Sequence, residues 1–284
     1  MGRTGLAVKE FRTLLLYILL GAVTVLALAP TAWMFSTSLK ARGAVFEQTI
    51  RWIPNPITLE NYSRAFSSLP LLTWLNNSAL IAAFTLILTL LCDILIAFAF
   101  ARLEFRGKNL LFMLVLTTIM VPSQATAVPM FKLINWMGLI DTKTGIVVPQ
   151  AAEAIGVFLL TQFFKGIPKE LGEAARIDGC SNWQILWKII VPLSGPAITV
   201  LTILTLANSW NNFLWPLIVA QSEASITLPV GLASLMSGFS EAAEAREYGL
   251  LMATSMVACL PTIVAFLVLQ QRFIEGITMT GLKG

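Results

Sequence analysis

Six stretches of the chain carry apolar residues with little interruption for about 20 positions, the length a helix needs to cross about 30 Å of hydrocarbon. Phe11–Phe35 is clear, and Leu75–Ala101 is clear apart from the charge of Asp93. Leu110–Phe131 is punctuated by Pro122 and Pro129, and Gly145–Phe164 contains Glu153. Ile189–Val219 is long and carries Pro192, Pro196 and a polar patch, while Leu250–Leu269 contains Pro261. The pattern predicts an all-α membrane protein of six transmembrane helices, with no room for a large soluble domain.

Composition supports that reading. Apolar types make up 57% of the 284 residues and charged types 12%, against about 25% charged in a soluble domain. The absence of histidine removes Ser-His-Asp and Cys-His triads, HExxH zinc sites and histidine proton relays. Cys92, Cys180 and Cys259 are far apart and form no CxxC, so neither a disulfide framework nor a metal site is expected. No GxxxxGK[ST] occurs, so the chain itself holds no nucleotide in a P-loop.

An even number of spans puts both termini on one side. The N-terminus, the loops 102–108 and 165–188, and the C-terminus hold 12 Lys/Arg; the opposite side holds 7. The excess predicts cytoplasmic termini. Arg3, Lys9 and Arg12 precede a first apolar run of about 25 residues, too long for the 7–15-residue core of a signal peptide, so that run is expected to remain as a span.

The stretch Ile167–Pro192, IPKELGEAARIDGCSNWQILWKIIVP, falls on the cytoplasmic side. Pro168 suits a helix start, and Glu170 and Glu173 suit its first turns. Ala174 and Ala175 make a small helical surface. Asp178-Gly179 should end the helix, with Gly179 in a left-handed cap. A second piece has Trp183, Leu186, Trp187 and Ile190 at helical spacing. The residues alone allow an interfacial helix between two spans or a docking surface whose small side chains admit another protein.

Glu173-Ala174-Ala175, three residues, Gly179, nine residues, Ile189, one residue, Val191-Pro192 resembles the EAA loop of binding-protein-dependent ABC importer permeases. Val191 stands where the family has Leu, a volume-conserving change. A second EAA at Glu241 has Glu247 where the glycine belongs and falls outside. Thr37–Lys40, Pro54–Pro56 through Asn61-Tyr62, Val121-Pro122, Gly156–Pro168, Ser209–Asn212 and Arg272–Gly284 resemble the carbohydrate branch, above all its six-span maltose-transport-type permease. Asn212 stands where that branch more often has Asp.

The resemblance implies a type I ABC importer transmembrane fold: residues 1–73 as cytoplasmic segment, first helix and external loop, 74–270 as the transmembrane domain with a coupling loop at 165–190, and 271–284 as a cytoplasmic tail. It implies a transport subunit rather than an enzyme, importing a sugar or sugar-like solute by alternating access. Glu173, Ala174, Ala175, Asp178, Gly179, Ile189 and Pro192 would couple it to an ATPase. Its partners would be a dimer of nucleotide-binding subunits, a second paralogous permease, an extracytoplasmic solute-binding protein and the bilayer, with no nucleic acid. ATP and Mg would bind the ATPase and no cofactor or metal this chain, in a bacterial-type cytoplasmic membrane.

Polar residues within the spans are the candidates for the solute path. Asn208, Trp210, Asn211, Asn212 and Trp215 combine amide hydrogen bonding with flat apolar faces, which suits a sugar and equally suits interhelical hydrogen bonding beside a Pro216 kink. Glu153, Gln150 and Gln124 are further candidates. Asp93 and Glu153, the clear acids within spans, would also be needed by an ion-coupled secondary transporter, the rival reading. Asp93 is expected to have an internal structural role. The external segment Lys40–Pro70 could meet a binding protein or pack as a lid on its own bundle.

Overall fold

The computed structural model describes residues 3–43, 51–237 and 241–281. Lys283, counted in the inner charge, lies outside the described residues, as do the side chains of Arg3, Lys9, Arg246 and Arg272. The described residues contain helices and no strand. In chain order the helices are α1 Arg3–Ser38, α2 Glu60–Ser68, α3 Leu71–Arg102, α4 Lys108–Thr118, α5 Ser123–Trp136, α6 Lys143–Val147 and α7 Ala154–Gly166. They continue as α8 Lys169–Ile177, α9 Asn182–Ile185, α10 Val191–Leu193, α11 Gly195–Trp210, α12 Leu214–Val219, α13 Leu228–Ser237 and α14 Glu241–Gly281.

Three segments are single helices long and apolar enough to cross a bilayer: Glu10–Ser38, Leu71–Arg102 and Glu247–Val268. Where the other three spans were expected, the chain forms bent pairs of helices. Lys108–Thr118 meets Ser123–Trp136 at 104°, the 143–150 turn meets Ala154–Gly166 at 43°, and Asn182–Leu193 meets Gly195–Trp210 at 80°. The expectation of one continuous run from Leu110 to Phe131 is therefore corrected: α4 ends at Thr118, and Pro122, extended at ψ 135°, precedes α5. Pro129 sits inside α5 without ending it. Ile189–Val219 is likewise interrupted, at Ser194 and again at 211–213, so Pro216 lies within α12 rather than at the break.

The chain forms two compact units, Met1–Leu71 with Leu232–Cys259, and Leu72–Gly231 with Leu260–Gly284. In the first, α2 is pinned to the end of α1. Asn61 Nδ2 donates to Ser38 O at 2.9 Å and Lys40 O at 2.8 Å, and Ser38 Oγ lies 2.8 Å from Tyr62 Oη. Glu247, at the start of the apolar part of α14, pairs with Arg42 and, at 2.6 Å, with Arg64.

In the second unit α3 has its polarity turned inward. Asn77, Ser78, Thr85, Thr89 and Asp93 are buried along one helical stripe, and Leu80, Phe84, Ile87 and Leu91 are exposed. That is the arrangement expected where lipid is the solvent and polar groups find partners only inside the bundle. One core cluster joins Ile94, Ala97, Phe98 and Ala101 of α3 to Leu160 and Phe164 of α7, Ala175 of α8, and Leu201 of α11.

Candidate functional site

The loop after α7 folds as a helical hairpin. Pro168 precedes α8 as its cap, Glu170 lies in the first turn and Arg176 in the last, both favourable to the helix dipole. At the other end Gly179 takes φ +81°. Its N–H donates to Arg176 O at 3.0 Å, and Cys180 N–H donates to Ala175 O at 2.8 Å, the paired bonds of a Schellman cap. A residue with a Cβ pays for this left-handed geometry, so glycine is required here by the backbone. Ser181 then accepts from Gln184 N, and Gln184 returns a bond to Ser181 N, a capping box that starts α9.

The hairpin separates its two faces sharply. Ala175 is buried against the core formed by α3, α7 and α11, which anchors α8. Glu173, Ala174 and Asp178 face solvent. Ile177 is 88% exposed and Trp183 60%, an apolar tip that the sequence motif passed over. Ile189 and Val191 are partly buried beneath it and Pro192 is exposed. Between α9 and α10 the chain makes a π-helical turn over Leu186–Ile190, which buries Leu186 and Ile190 together where a regular α-helix was expected.

Of the polar residues proposed for a path, the fold gathers three. Gln150, Asn212 and Trp215 line a cavity of about 200 Å³ together with Ser123, Thr126 and Met130. Asn212 Nδ2 donates to Gln150 Oε1 at 3.1 Å, while Gln150 Nε2 donates to Ile146 O at 2.8 Å. Thr89 Oγ1 of α3 donates to Gln150 O at 2.7 Å, and Trp215 Nε1 donates to Gly145 O at 3.1 Å. Each amide stands at a helix break, where backbone polar groups are freed to bind neighbours.

The other candidates lie elsewhere. Trp210 lines a larger apolar cleft of about 460 Å³ with Ala79, Ala83 and Phe266. Asn208 is exposed, and so is Asn211, whose Nδ2 turns back to Ala207 O at 2.8 Å. Gln124 is exposed beside Ser123. Glu153 sits directly before α7 and does not line the cavity. Ser123 and Thr126 were missed; the signal for them was their position in the first turn after Pro122, one helical turn apart.

A brace the sequence did not reveal closes one end of this unit. Asp141 adopts φ +59°, a geometry Asp tolerates better than most residues. Its N–H donates to Val219 O at 3.0 Å. Its Oδ1 accepts from Gln221 N at 2.8 Å, Ser222 N at 2.9 Å and Ser225 Oγ. The hydrogen bonds from Ser222 and Ser225 hold its carboxyl well below the usual carboxylate range. On the far side Asn77 Nδ2 donates to Ile226 O at 2.8 Å, and Leu228 N donates to Ser78 Oγ at 2.8 Å. The segment from Val219 to Leu228 is thus tied from both flanks.

Comparison with known proteins places this geometry. Residues 93–275 match the family described as binding-protein-dependent transport system inner membrane component. The chain is 38% identical over 250 residues to the arabinooligosaccharides transport system permease protein AraQ of Halalkalibacterium halodurans, covering 88% of this chain and 86% of that protein. It is 35% identical over 260 residues to the trehalose transport system permease protein SugB of Mycobacterium tuberculosis, covering 91% and 93%. Among solved structures, a chain of a bacterial ABC transporter involved in the import of the acidic polysaccharide alginate superposes with a TM-score of 0.84 at 25% identity, over 93% of this chain and 97% of that one. The chain therefore belongs to the binding-protein-dependent transport system inner membrane components, the integral membrane subunits of ABC importers.

Proposed function

We propose that this chain is a permease subunit of an ATP-driven importer for a sugar or sugar-like solute, crossing the membrane six times with both termini in the cytoplasm. The observation that carries the reading is the α8 hairpin. It is a rigidly capped helix, anchored through Ala175, that presents Glu173, Ala174, Ile177 and Asp178 to solvent. A chain with no P-loop must draw on ATP bound elsewhere. α8 is the coupling helix of that arrangement, seated in a dimer of ATPase subunits, which bind the ATP and Mg.

The solute path runs past the Gln150–Asn212 pair. Two amides, an indole and two hydroxyls around one cavity offer hydroxyl partners and a flat apolar face. The relatives named for arabinooligosaccharides and trehalose support a carbohydrate as cargo. A second, paralogous permease completes the path, and an extracytoplasmic binding protein delivers the solute to a surface that includes the Lys40–Pro70 segment.

The test is uptake in proteoliposomes containing this chain, the partner permease and the ATPase, with the binding protein outside and ATP inside. Labelled arabinotriose, trehalose and lactose serve as probes. ATP-dependent uptake of one of them is expected. Uptake by this chain alone, driven by an imposed proton or sodium gradient, would overturn the reading in favour of an ion-coupled carrier.

A further inference from the structure

α7 is gripped at both ends by side chains of α3. At its N-terminal end, Asp93 Oδ1 accepts the N–H of Glu153, the residue that caps α7, at 3.1 Å. Glu153 provides no side-chain cap of its own. At the C-terminal end, Arg102 Nη2 donates to Phe164 O at 2.7 Å and to Ile167 O at 2.6 Å. The Glu153 N–H and Ile167 O lie at the helix ends, where backbone groups lack partners within the helix. Phe164 O also accepts the Ile167 N–H at 3.3 Å. The acceptor and donor sit at the ends where the helix dipole favours them.

Between the grips, Ile94, Ala97 and Phe98 of α3 share one buried core with Leu160 and Phe164 of α7 and Leu201 of α11. Asp93 is fully buried. Its Oδ2 finds no hydrogen-bond partner among the described residues and rests over Gly156, where an added Cβ would collide with it and with Leu201. Burying the carboxyl costs free energy that the bond from the Glu153 N–H offsets only in part, since Oδ2 is unpaired. The carboxyl holds the start of α7.

The position of α7 makes that hold consequential. Its N-terminal end follows the Gln150 elbow by three residues, and its C-terminal end precedes α8 by two. We infer that α3 and α7 move as one lever, with Asp93 and Arg102 as positioning residues that keep α7 from sliding on α3, so that displacement of the α8 hairpin reaches the Gln150–Asn212 cavity without loss. The inference rests on the permease reading above. Slippage by a helical turn would break all three hydrogen bonds at once, which makes the pair rigid rather than compliant.

The experiment uses the assembled complex of both permeases and the ATPase in proteoliposomes, reading the stimulation of ATP hydrolysis by the binding protein. With wild-type chain, the absence of stimulation defeats the permease reading itself. With stimulation present, Asp93→Ala, Gly156→Ala and Arg102→Ala each lower it about tenfold, within the range of coupling between two sites, while assembly and unstimulated hydrolysis persist. Asp93→Asn, which still accepts the Glu153 N–H, restores it. Full stimulation in both Asp93→Ala and Arg102→Ala overturns the lever.

A second measurement needs no disruptive variant. Spin labels at Ile87→Cys and Phe158→Cys, exposed positions of α3 and α7, are placed in a chain whose native cysteines are replaced. Their separation is expected to stay the same in nucleotide-free and vanadate-trapped complexes. A change beyond about 2 Å, the scale of a helix shift at an interface, overturns the lever.

Discussion

Asn212 and Gln150 are 62 positions apart and meet at 3.1 Å, each standing where a membrane helix is interrupted. Asn212 is the donor of this bond, through Nδ2 to Gln150 Oε1. One N–H of the Gln150 amide is bound to Ile146 O, and the amide presents its oxygen to residue 212, where an ionised carboxylate could not donate. Asn212→Asp should lower stability by about 1 kcal/mol, the size of one net hydrogen bond. Asn212→Leu strands the Gln150 oxygen, should cost about 1–3 kcal/mol, and should slow solute uptake while ATP hydrolysis continues. Thermal unfolding in detergent and uptake in proteoliposomes check the two parts; unchanged uptake in Asn212→Leu removes the pair from the path.

Gly179→Val should cost about 1–2 kcal/mol, since φ +81° forces a Cβ against the backbone. The cap would loosen and tilt the exposed face of α8. The variant chain should insert and assemble, yet lose ATP-dependent uptake. Full uptake in this variant would deny α8 its coupling role.

Asp141 links stability to pH. Its carboxyl is held below the ordinary range by Ser222 and Ser225, so the folded state favours the ionised form. That contribution is present above the unfolded value of about 3.9 and fades as pH falls towards the folded one. Asp141→Asn keeps the tolerance for φ +59° but loses the charge. Its melting temperature should fall below that of the wild type by a constant amount from pH 5 to pH 8, the gap closing at about pH 4 and below. A gap that widens in acid would show the brace to be held by something other than the carboxylate.

Glu247 binds two cations, Arg42 and Arg64, with its side chain only 7% exposed. Without it, Arg64, 24% exposed, would lose a charge-assisted partner without being fully desolvated, at about 1–3 kcal/mol. Glu247→Leu should therefore lower the unfolding midpoint in a detergent melt. Replacing Arg42, whose side chain is 54% exposed, should do little, as exposed pairs contribute about 0–1 kcal/mol.

The motifs legible in the chain have local physical causes. Gly179 could be read as a left-handed cap because two backbone bonds five and three residues back demand it. Thr37–Lys40 and Asn61-Tyr62 stood out separately, through the family resemblance, and the structure joins Asn61 and Tyr62 to Ser38 and Lys40. Asp93 was expected to be internal, and it is fully buried.

Illegible features depend on where helices break. Asn208, Asn211 and Asn212 are near neighbours in sequence, yet only Asn212 lines the cavity. The reason is that α11 ends at Trp210 and the non-helical stretch 211–213 brings Asn212 to Gln150, while Asn208 stays on the helix. Around a soluble helix, apolar periodicity reveals which side faces inward; a lipid-facing helix is apolar almost all round, so that marker is lost.

By itself, then, the amino-acid order determined which segments are apolar long enough to enter a membrane, and where the α8 hairpin begins and ends. Both are properties of composition or of a few adjacent backbone bonds. Only the tertiary structure decided that bent pairs of helices stand where three spans were expected, that Gln150 meets Asn212, and that Asp93 and Arg102 of one helix hold the two ends of another. Each of these arises between residues distant in the chain, where packing sets the direction of every side chain and a buried polar group must find its partner across the bundle.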